Sequence, residues 1–465
     1  MDQKSPPHIL AHTESVCPVC LERLPAQRVA DGDNVYLVKT CPEHGLFRTV
    51  VWRGVETYAD WGALTHEAAP APICETTLQR GCPFDCGICP EHRQHSCCVL
   101  LEVTQRCNLR CPVCFAAAGA PQADPSLEEI GQWLQALRKH SPSVNIQLSG
   151  GEPTVRDDLD QIIALTRSLG FDFVQLNTNG IRLAKDTAYA ARLASAGLDC
   201  VFLQFDGLRD ATYRKIRGID LFASKQATIE RCSQLGLGVV LVPTLIPGVN
   251  IDEIGAIIDF AAQHTPTVRA VHFQPVSYFG RYPSAPQDQD RITLPEVMRA
   301  IVQQTHGTID LADFNPGSTE NAYCSFSGSF YVNSQHQLQA AQPTAGTACG
   351  CGTPAKPQIG RDVQHARQVV AKKWTSPPEV SSNPCCSGVS VVSLDNFLAQ
   401  RRHSLSISGM AFQDAWTLDL ERLRECYIHV VSPDRRIIPF CAYNLTAQNG
   451  ESLYRPDLKA QVHAD

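Results

Sequence analysis

The chain has 465 residues, 43% of them hydrophobic, enough for two or three domains with cores of their own. Its formal net charge is −7, and its Lys and Arg are scattered, so it lacks the basic stripe a phosphate backbone requires, which excludes nucleic acid as the main partner. No run of about 18 apolar residues offers a membrane span, and the start MDQKSPPHILAHTESVCPVC lacks an apolar signal region, so a soluble, cytoplasmic protein is expected. The 21 cysteines then face a reducing compartment, where metal or redox chemistry explains them better than disulfides. Twelve lie between Cys17 and Cys114, only Cys200 and Cys232 occupy the middle, where they read as buried small hydrophobes, and seven follow from Cys324.

In chain order, CPVC (17–20) and CPEHG (41–45) give Cys-x2-Cys, then Cys-x2-His, bracketing the strand-like DNVYLVKT and followed by LFRTVVW. This ribbon spacing predicts a structural metal on Cys17, Cys20, Cys41 and His44, with zinc the default. A rubredoxin-like mononuclear iron would want a fourth sulfur, for which Cys74 is a candidate, leaving His44 outside the ligand set. Next, GCPFDCGICPEHRQH places Cys82, Cys86 and Cys89 in Cys-x3-Cys-x2-Cys spacing. No strand precedes this stretch and no glycine-rich partner follows it, so it reads as the holder of an auxiliary iron–sulfur cluster. His92, His95, Cys97 and Cys98 are candidates for a fourth ligand.

From about residue 99 to 275, strand-like runs alternate with amphipathic segments: VLLEVT (99–104), VNIQLS (144–149), FVQLNT (173–178), CVFLQF (200–205), VVLVPT (239–244) and VHFQPV (271–276). One intervening helix should open with a capping box, Ser126-x-x-Glu129, and another at Asn250 with Glu253 three residues on. Six apolar strands each followed by a helix imply a parallel sheet buried on both faces, either an incomplete barrel or an open doubly wound sheet. Ligands collect at the C-terminal ends of such strands, and the unusual residues sit there: CNLRCPVC after the first strand, SGGEPT after the second, NTNG after the third and QFDG after the fourth.

The three thiols of CNLRCPVC, Cys107, Cys111 and Cys114, cannot complete a tetrahedral zinc site, and they leave one iron of a cubane cluster without a protein ligand. Gly150 and Gly151 let the backbone approach a ligand closely, and Glu152 with nearby carbonyls can accept hydrogen bonds from an ammonium group. After about residue 300 the βα rhythm fades. Cys324, Cys426 and Cys441 are candidates for a second auxiliary cluster, with a fourth ligand from Cys349, Cys351, Cys385 or Cys386. TAGTACGCGTPAKP (344–357) reads as a flexible loop, and 420–446 as a helix and two strands around a Ser-Pro-Asp turn.

CNLRCPVC after a first strand and GGEP after a second resemble the radical S-adenosylmethionine superfamily. The order CPVC, TCPEHG, GCPFDCGIC, CNLRCPVCFA, SGGEPT, NTNG, QFDG, HFQPVSYFGR and IPFCAYN is similar to the branch containing 7,8-dihydro-6-hydroxymethylpterin dimethyltransferase and tetraether lipid synthase. The resemblance implies an α/β fold: a partial (βα)6 radical SAM barrel (99–300) preceded by a zinc-ribbon or rubredoxin-like metal domain (1–68) and an auxiliary-cluster segment (69–98), and followed by a cysteine-containing C-terminal domain (301–465). It implies a 4Fe-4S cluster that binds S-adenosylmethionine (SAM), one or two auxiliary clusters, and an electron donor such as flavodoxin or ferredoxin. By the same resemblance Asn177, Asn179, Gln204 and Asp206 contact the ribose or carboxylate of SAM, and Phe115 packs near adenine. The implied activity is reductive cleavage of SAM to a 5′-deoxyadenosyl radical that functionalises an unactivated carbon. Methylation of a pterin-like small molecule is the first expectation and radical coupling of lipid chains the second, with a non-catalytic iron–sulfur electron carrier the reading from a different class.

Overall fold

The computed structural model describes residues 6–63, 74, 76–119, 123–141, 143–317, 319–341, 359–377 (side chains from 366) and 403–455. Four antiparallel strands open the chain: β1 (His8–Val16), β2 (Arg23–Asp31), β3 (Asn34–Cys41) and β4 (Gly45–Arg53). The last two were legible in the sequence. This ribbon docks on the segment 415–421 by polar contacts: Arg28 pairs with Asp419 at 2.7 Å and also with Glu421, while the ammonium of buried Lys39 donates to Ser15 Oγ at 2.9 Å and to the carbonyls of Ala415 and Trp416 at 2.8 and 3.0 Å.

The second sheet contains the six strands the sequence predicts: β5 (Cys98–Thr104), β6 (Asn145–Gly150), β7 (Val174–Thr178), β8 (Cys200–Gln204), β9 (Gly238–Val242) and, after the short β10 (Thr244–Leu245), β11 (Val268–Pro275). All six are parallel neighbours in the order β11-β9-β8-β7-β6-β5. The C-terminal third adds strands to both edges of this sheet. β12 (Asn315–Pro316), β13 (Ser325–Val332), β14 (Leu338–Ala340) and β15 (Ser404–Met410) extend it beyond β11, with β15 parallel to β11. β16 (Ile428–Val431) lies parallel to β5, and β17 (Ile437–Pro439) pairs back on β16 around the expected turn. β15 and β16 are not bonded to each other, so the barrel stays open, yet Met410 and Ile428 line one cavity. Among the described residues no helix is long and apolar enough to cross a membrane.

Both faces of the six strands are covered, but they are not uniformly apolar. Val99, Leu101, Ile146, Leu148, Val174, Leu176, Val201 and Leu203 join the core under the helices. The alternate residues Asn145, Gln147, Ser149, Gln175, Asn177 and Gln204 line the internal cavity, as period-2 side-chain alternation requires. The capping box at Ser126 and Glu129 opens the helix Leu127–His140. The one expected at Asn250 does not form: the helix there runs Ile254–Gln263, and Glu253 instead accepts from Leu208 N and Arg209 N at 2.7 and 3.2 Å, fastening the loop after β8. Asn250 turns inward, donating to the carbonyls of Asp206 and Thr244, both at 2.8 Å. Cys200 and Cys232 are fully buried.

Candidate active site and metal centres

A cavity of about 290 Å³ occupies the inside of the curled sheet. Cys107, Cys111 and Cys114 all line it, together with Phe115, Gly150, Gly151, Glu152, Asn177, Asn179 and Gln204. The two loops that carry these residues are zipped backbone to backbone: Gly151 N donates to Thr104 O at 2.8 Å and Glu152 N to Arg106 O at 2.9 Å. The approach is too close for any side chain. A Cβ on Gly150, whose φ is +125°, would lie 2.1 Å from Thr104 O, and one on Gly151 2.2 Å from Arg106 O.

Glu152 is occupied within the protein. Its Oε1 accepts from Thr154 N, Thr154 Oγ1 and Thr178 Oγ1 at 3.1, 2.6 and 2.6 Å, and its Oε2 from Asn179 N at 2.7 Å. The carboxylate therefore ties the loop after β6 to the loop after β7. Asn179 Nδ2 donates to Asn108 Oδ1 at 2.7 Å, carrying the same framework into the cysteine loop. The oxygen Gln204 Oε1 is buried with no hydrogen-bond partner among the described residues.

Asp206 departs from its expected place on the cofactor. It is fully buried, and its carboxylate forms a two-pronged pair with Arg217, Nε to Oδ2 at 2.7 Å and Nη2 to Oδ1 at 2.9 Å; it does not line the cavity. Arg217 does line it. Burial opposes the guanidinium, but Asp206 and Cys111 outweigh that effect and hold its pKa above the ordinary value. Arg217 thus places a fixed positive charge beside Cys111. A signal existed in the alternation of the helix Asp210–Arg217, whose Tyr213 and Arg217 are buried four residues apart, but a lone arginine in a basic stretch does not announce it.

Without metal, burial pushes the Cys107 thiol up to about 12 and raises that of Cys111, so these sulfurs are poor anions unless a cation compensates them. Bound iron would supply that compensation. With Leu109 N donating to Cys107 Sγ at 3.4 Å and Arg217 beside Cys111, the loop suits a three-thiolate cluster site opening onto the cavity.

In the ribbon, Cys17, Cys20, Cys41 and His44 converge with all ligand atoms within 4.8 Å of one another. His44 Nδ1 lies 3.6 Å from Cys17 Sγ and 3.4 Å from Cys41 Sγ, and Cys20 Sγ lies 4.0 Å from Cys41 Sγ. These are the edge lengths of a tetrahedron with metal–ligand bonds of about 2.0–2.3 Å. Exposed Cys74 does not join the group. Cys17→Ala is expected to lower metal content by about one atom per chain and to destabilise or solubly unfold the ribbon, because the binding free energy of a structural metal is folding free energy. Metal analysis and thermal unfolding check this, and unchanged metal content with unchanged melting would refute it.

Cys82, Cys86 and Cys89 are buried together, apart from the cavity. Hydrogen bonding to Cys86 and then burial raise the Cys82 thiol well above its usual value. The Tyr454 hydroxyl accepts from Cys86 N at 2.9 Å, so Tyr454 packs against this set. His92 does not turn to it: its Nε2 lies 3.2 Å from His429 Nε2. Cys324, Cys426 and Cys441, far apart in sequence, are electrostatic neighbours, and Arg422 Nη2 donates to Cys324 Sγ at 3.5 Å. Tyr427 and Phe440, each adjacent in sequence to one of these cysteines, line the cavity, whereas none of the three cysteines does. The fourth-ligand candidates Cys349, Cys351, Cys385 and Cys386 and the loop 344–357 lie outside the described residues.

Comparison with known proteins gives two family matches, the radical SAM superfamily over residues 101–261 and the HMPTM N-terminal zinc ribbon domain over residues 9–53. The chain is 36% identical, over 93% of its own length and 93% of the relative's, to 7,8-dihydro-6-hydroxymethylpterin dimethyltransferase of Methanocaldococcus jannaschii. It is 28% identical to molybdenum cofactor biosynthesis protein 1 of Bos taurus over 48% of this chain and 36% of that one. Among solved structures, the radical S-adenosylmethionine methyltransferase TsrM from Kitasatospora setae matches with a TM-score of 0.35 at 15% identity, covering 60% of this chain and 62% of that one. A three-thiol loop and a glycine loop locked together at the open end of a parallel βα sheet, with similarity running almost end to end, have one reading: the chain is an enzyme of the radical SAM superfamily and belongs to the family of the 7,8-dihydro-6-hydroxymethylpterin dimethyltransferases.

Proposed function

We propose that this enzyme methylates a reduced pterin at an otherwise unreactive carbon, using SAM and electrons from a flavodoxin- or ferredoxin-type donor in the cytoplasm. The observation that carries the reading is the similarity over 93% of both chains to a 7,8-dihydro-6-hydroxymethylpterin dimethyltransferase. Cys107, Cys111 and Cys114 hold the 4Fe-4S cluster that meets SAM, and Gly150, Gly151, Asn177, Asn179 and Phe115 are the cofactor's protein contacts. When bound, cluster and SAM supply one-electron chemistry at carbon; the chain's own part is to hold them beside the substrate and keep water out. Cys82, Cys86 and Cys89 form one auxiliary cluster site, Cys324, Cys426 and Cys441 a second, and the ribbon metal, zinc by its donor set, is structural.

Coupling of lipid chains would call for a long apolar channel, whereas this cavity, though lined largely by apolar groups, holds about 290 Å³ and carries amide side chains, Asn145, Gln147 and Gln175 among them. The test is anaerobic reconstitution with iron, sulfide and a reductant, followed by incubation with SAM and 6-hydroxymethyl-7,8-dihydropterin. Methylated pterin together with 5′-deoxyadenosine is expected. Deoxyadenosine with no methylated product would overturn the substrate, and no cleavage of SAM in cluster-loaded protein would overturn the enzymatic reading in favour of an electron carrier.

A further inference from the structure

We infer that the half of the cavity remote from the cysteine loop is the seat of an uncharged planar heterocycle, read by amide hydrogen bonds, and that the helix Ile359–Trp374 forms its floor. This deepens the substrate reading above and rests on it only for the identity of the heterocycle.

The cavity has two chemically different ends. Its charged lining residues are Glu152, Arg217 and Arg281, and all belong to the cysteine-loop end. Glu152 is consumed by the loop bonds already described, Arg217 by Asp206, and Arg281 Nε donates to Cys111 O at 3.0 Å. The polar lining of the other end is neutral and includes Asn145, Gln147, Gln175 and His272. Gln147 and Gln175 are direct register partners on β6 and β7, and both side-chain amides donate to Asn177 Oδ1. His272 Nδ1 pairs with Ser408 Oγ at 2.9 Å, and burial keeps the ring uncharged at neutral pH. None of the described residues lining this end is a cation, so a phosphate or carboxylate on the ligand would find no charged partner in the lining.

Aromatic rings complete the seat. Phe202 lies 5.6 Å from Trp374 and 5.7 Å from His272, centroid to centroid. Trp374 and Val370 line the cavity, while Ala371 and Trp374 pack on Phe173, Cys200, Phe202, Val240 and Ala270 at the N-terminal ends of the strands. The helix is fastened there: Arg269 Nε donates to Lys373 O at 2.9 Å and Lys373 Nζ to Ser329 Oγ at 2.7 Å. It therefore stops the N-terminal mouth of the open barrel and sets the depth of the site.

The test is anaerobic binding to the cluster-loaded full chain in the presence of SAM, with three probes: 6-hydroxymethyl-7,8-dihydropterin, its phosphate ester and guanine. The neutral pterin is expected to bind at least about tenfold more tightly than the ester, and Gln175→Leu and Trp374→Ala to weaken it about tenfold each, with iron content and melting showing that the variants fold. Trp374→Phe, which keeps a ring, should retain most of the affinity; if Trp374→Ala fails to fold, Gln175→Met replaces it. Wild-type affinity in both the Gln175 and Trp374 variants, equal binding of ester and pterin, or no binding of any probe would overturn the inference. Binding of guanine but not pterin, lost in Gln175→Leu, would uphold the seat and overturn the pterin reading.

Discussion

Replacing Cys107, Cys111 and Cys114 together by alanine is expected to remove about four irons per chain and to abolish SAM cleavage, the largest loss any substitution in this protein should cause. The neighbouring loop offers no thiol in their place, since the backbones zipped at Gly150 and Gly151 leave no room there for a side chain. The matched control is the triple alanine variant at Cys82, Cys86 and Cys89. That set has the same spacing but does not reach the cavity, so its folded fraction should lose iron and substrate turnover while still forming some deoxyadenosine. Iron content and deoxyadenosine measured on folded protein decide the matter. Cleavage lost in the control and spared in the first variant would show the two spacings to be assigned in reverse.

The largest stability effect should come from Asp206→Ala. It strands the Arg217 guanidinium in a site where both side chains are almost fully buried, a change that costs about 3–5 kcal/mol in comparable ion pairs. It would also release Thr244 N, which donates to Asp206 Oδ1 at 3.1 Å. Removing both charges in Asp206→Leu with Arg217→Met should cost much less than the single change, because no unpaired ion remains. Urea unfolding checks this. A single variant as stable as the wild type would mean that water or another group already shields Arg217.

The six strands, the Ser126 cap and the ribbon ligands were legible because each is written locally, in alternation or in spacing. The cavity loops were legible for another reason: parallel strands present their C-terminal ends together, so CNLRCPVC and GGEP had to meet. What the sequence hid is non-local. Glu152 looks available to a ligand until Thr178 and Asn179 are seen to occupy it, and Asp206 looks like a strand-end ligand until Arg217 arrives from the following helix. The polar inner wall was visible in V-N-I-Q-L-S but was masked by the overall apolar character of the strands. β16 was legible as a strand beside its Ser-Pro-Asp turn and β15 was not, and neither showed which edge it joins, because a strand's partner more than a hundred residues away leaves no mark in its own composition.

Those two edge strands govern the order in which the molecule can be made. The central six strands leave the ribosome before either edge strand, so one flank of the cavity waits for residues 404–410 and the other for 428–431. Pairings of such long sequence separation form late, since loop closure must precede any gain from the contact. Until then the cavity that Cys107, Cys111 and Cys114 line lacks both flanking strands, and Cys426 and Cys441 are yet to be added. The cavity those three thiols line is therefore walled on both flanks only once the last strands pair.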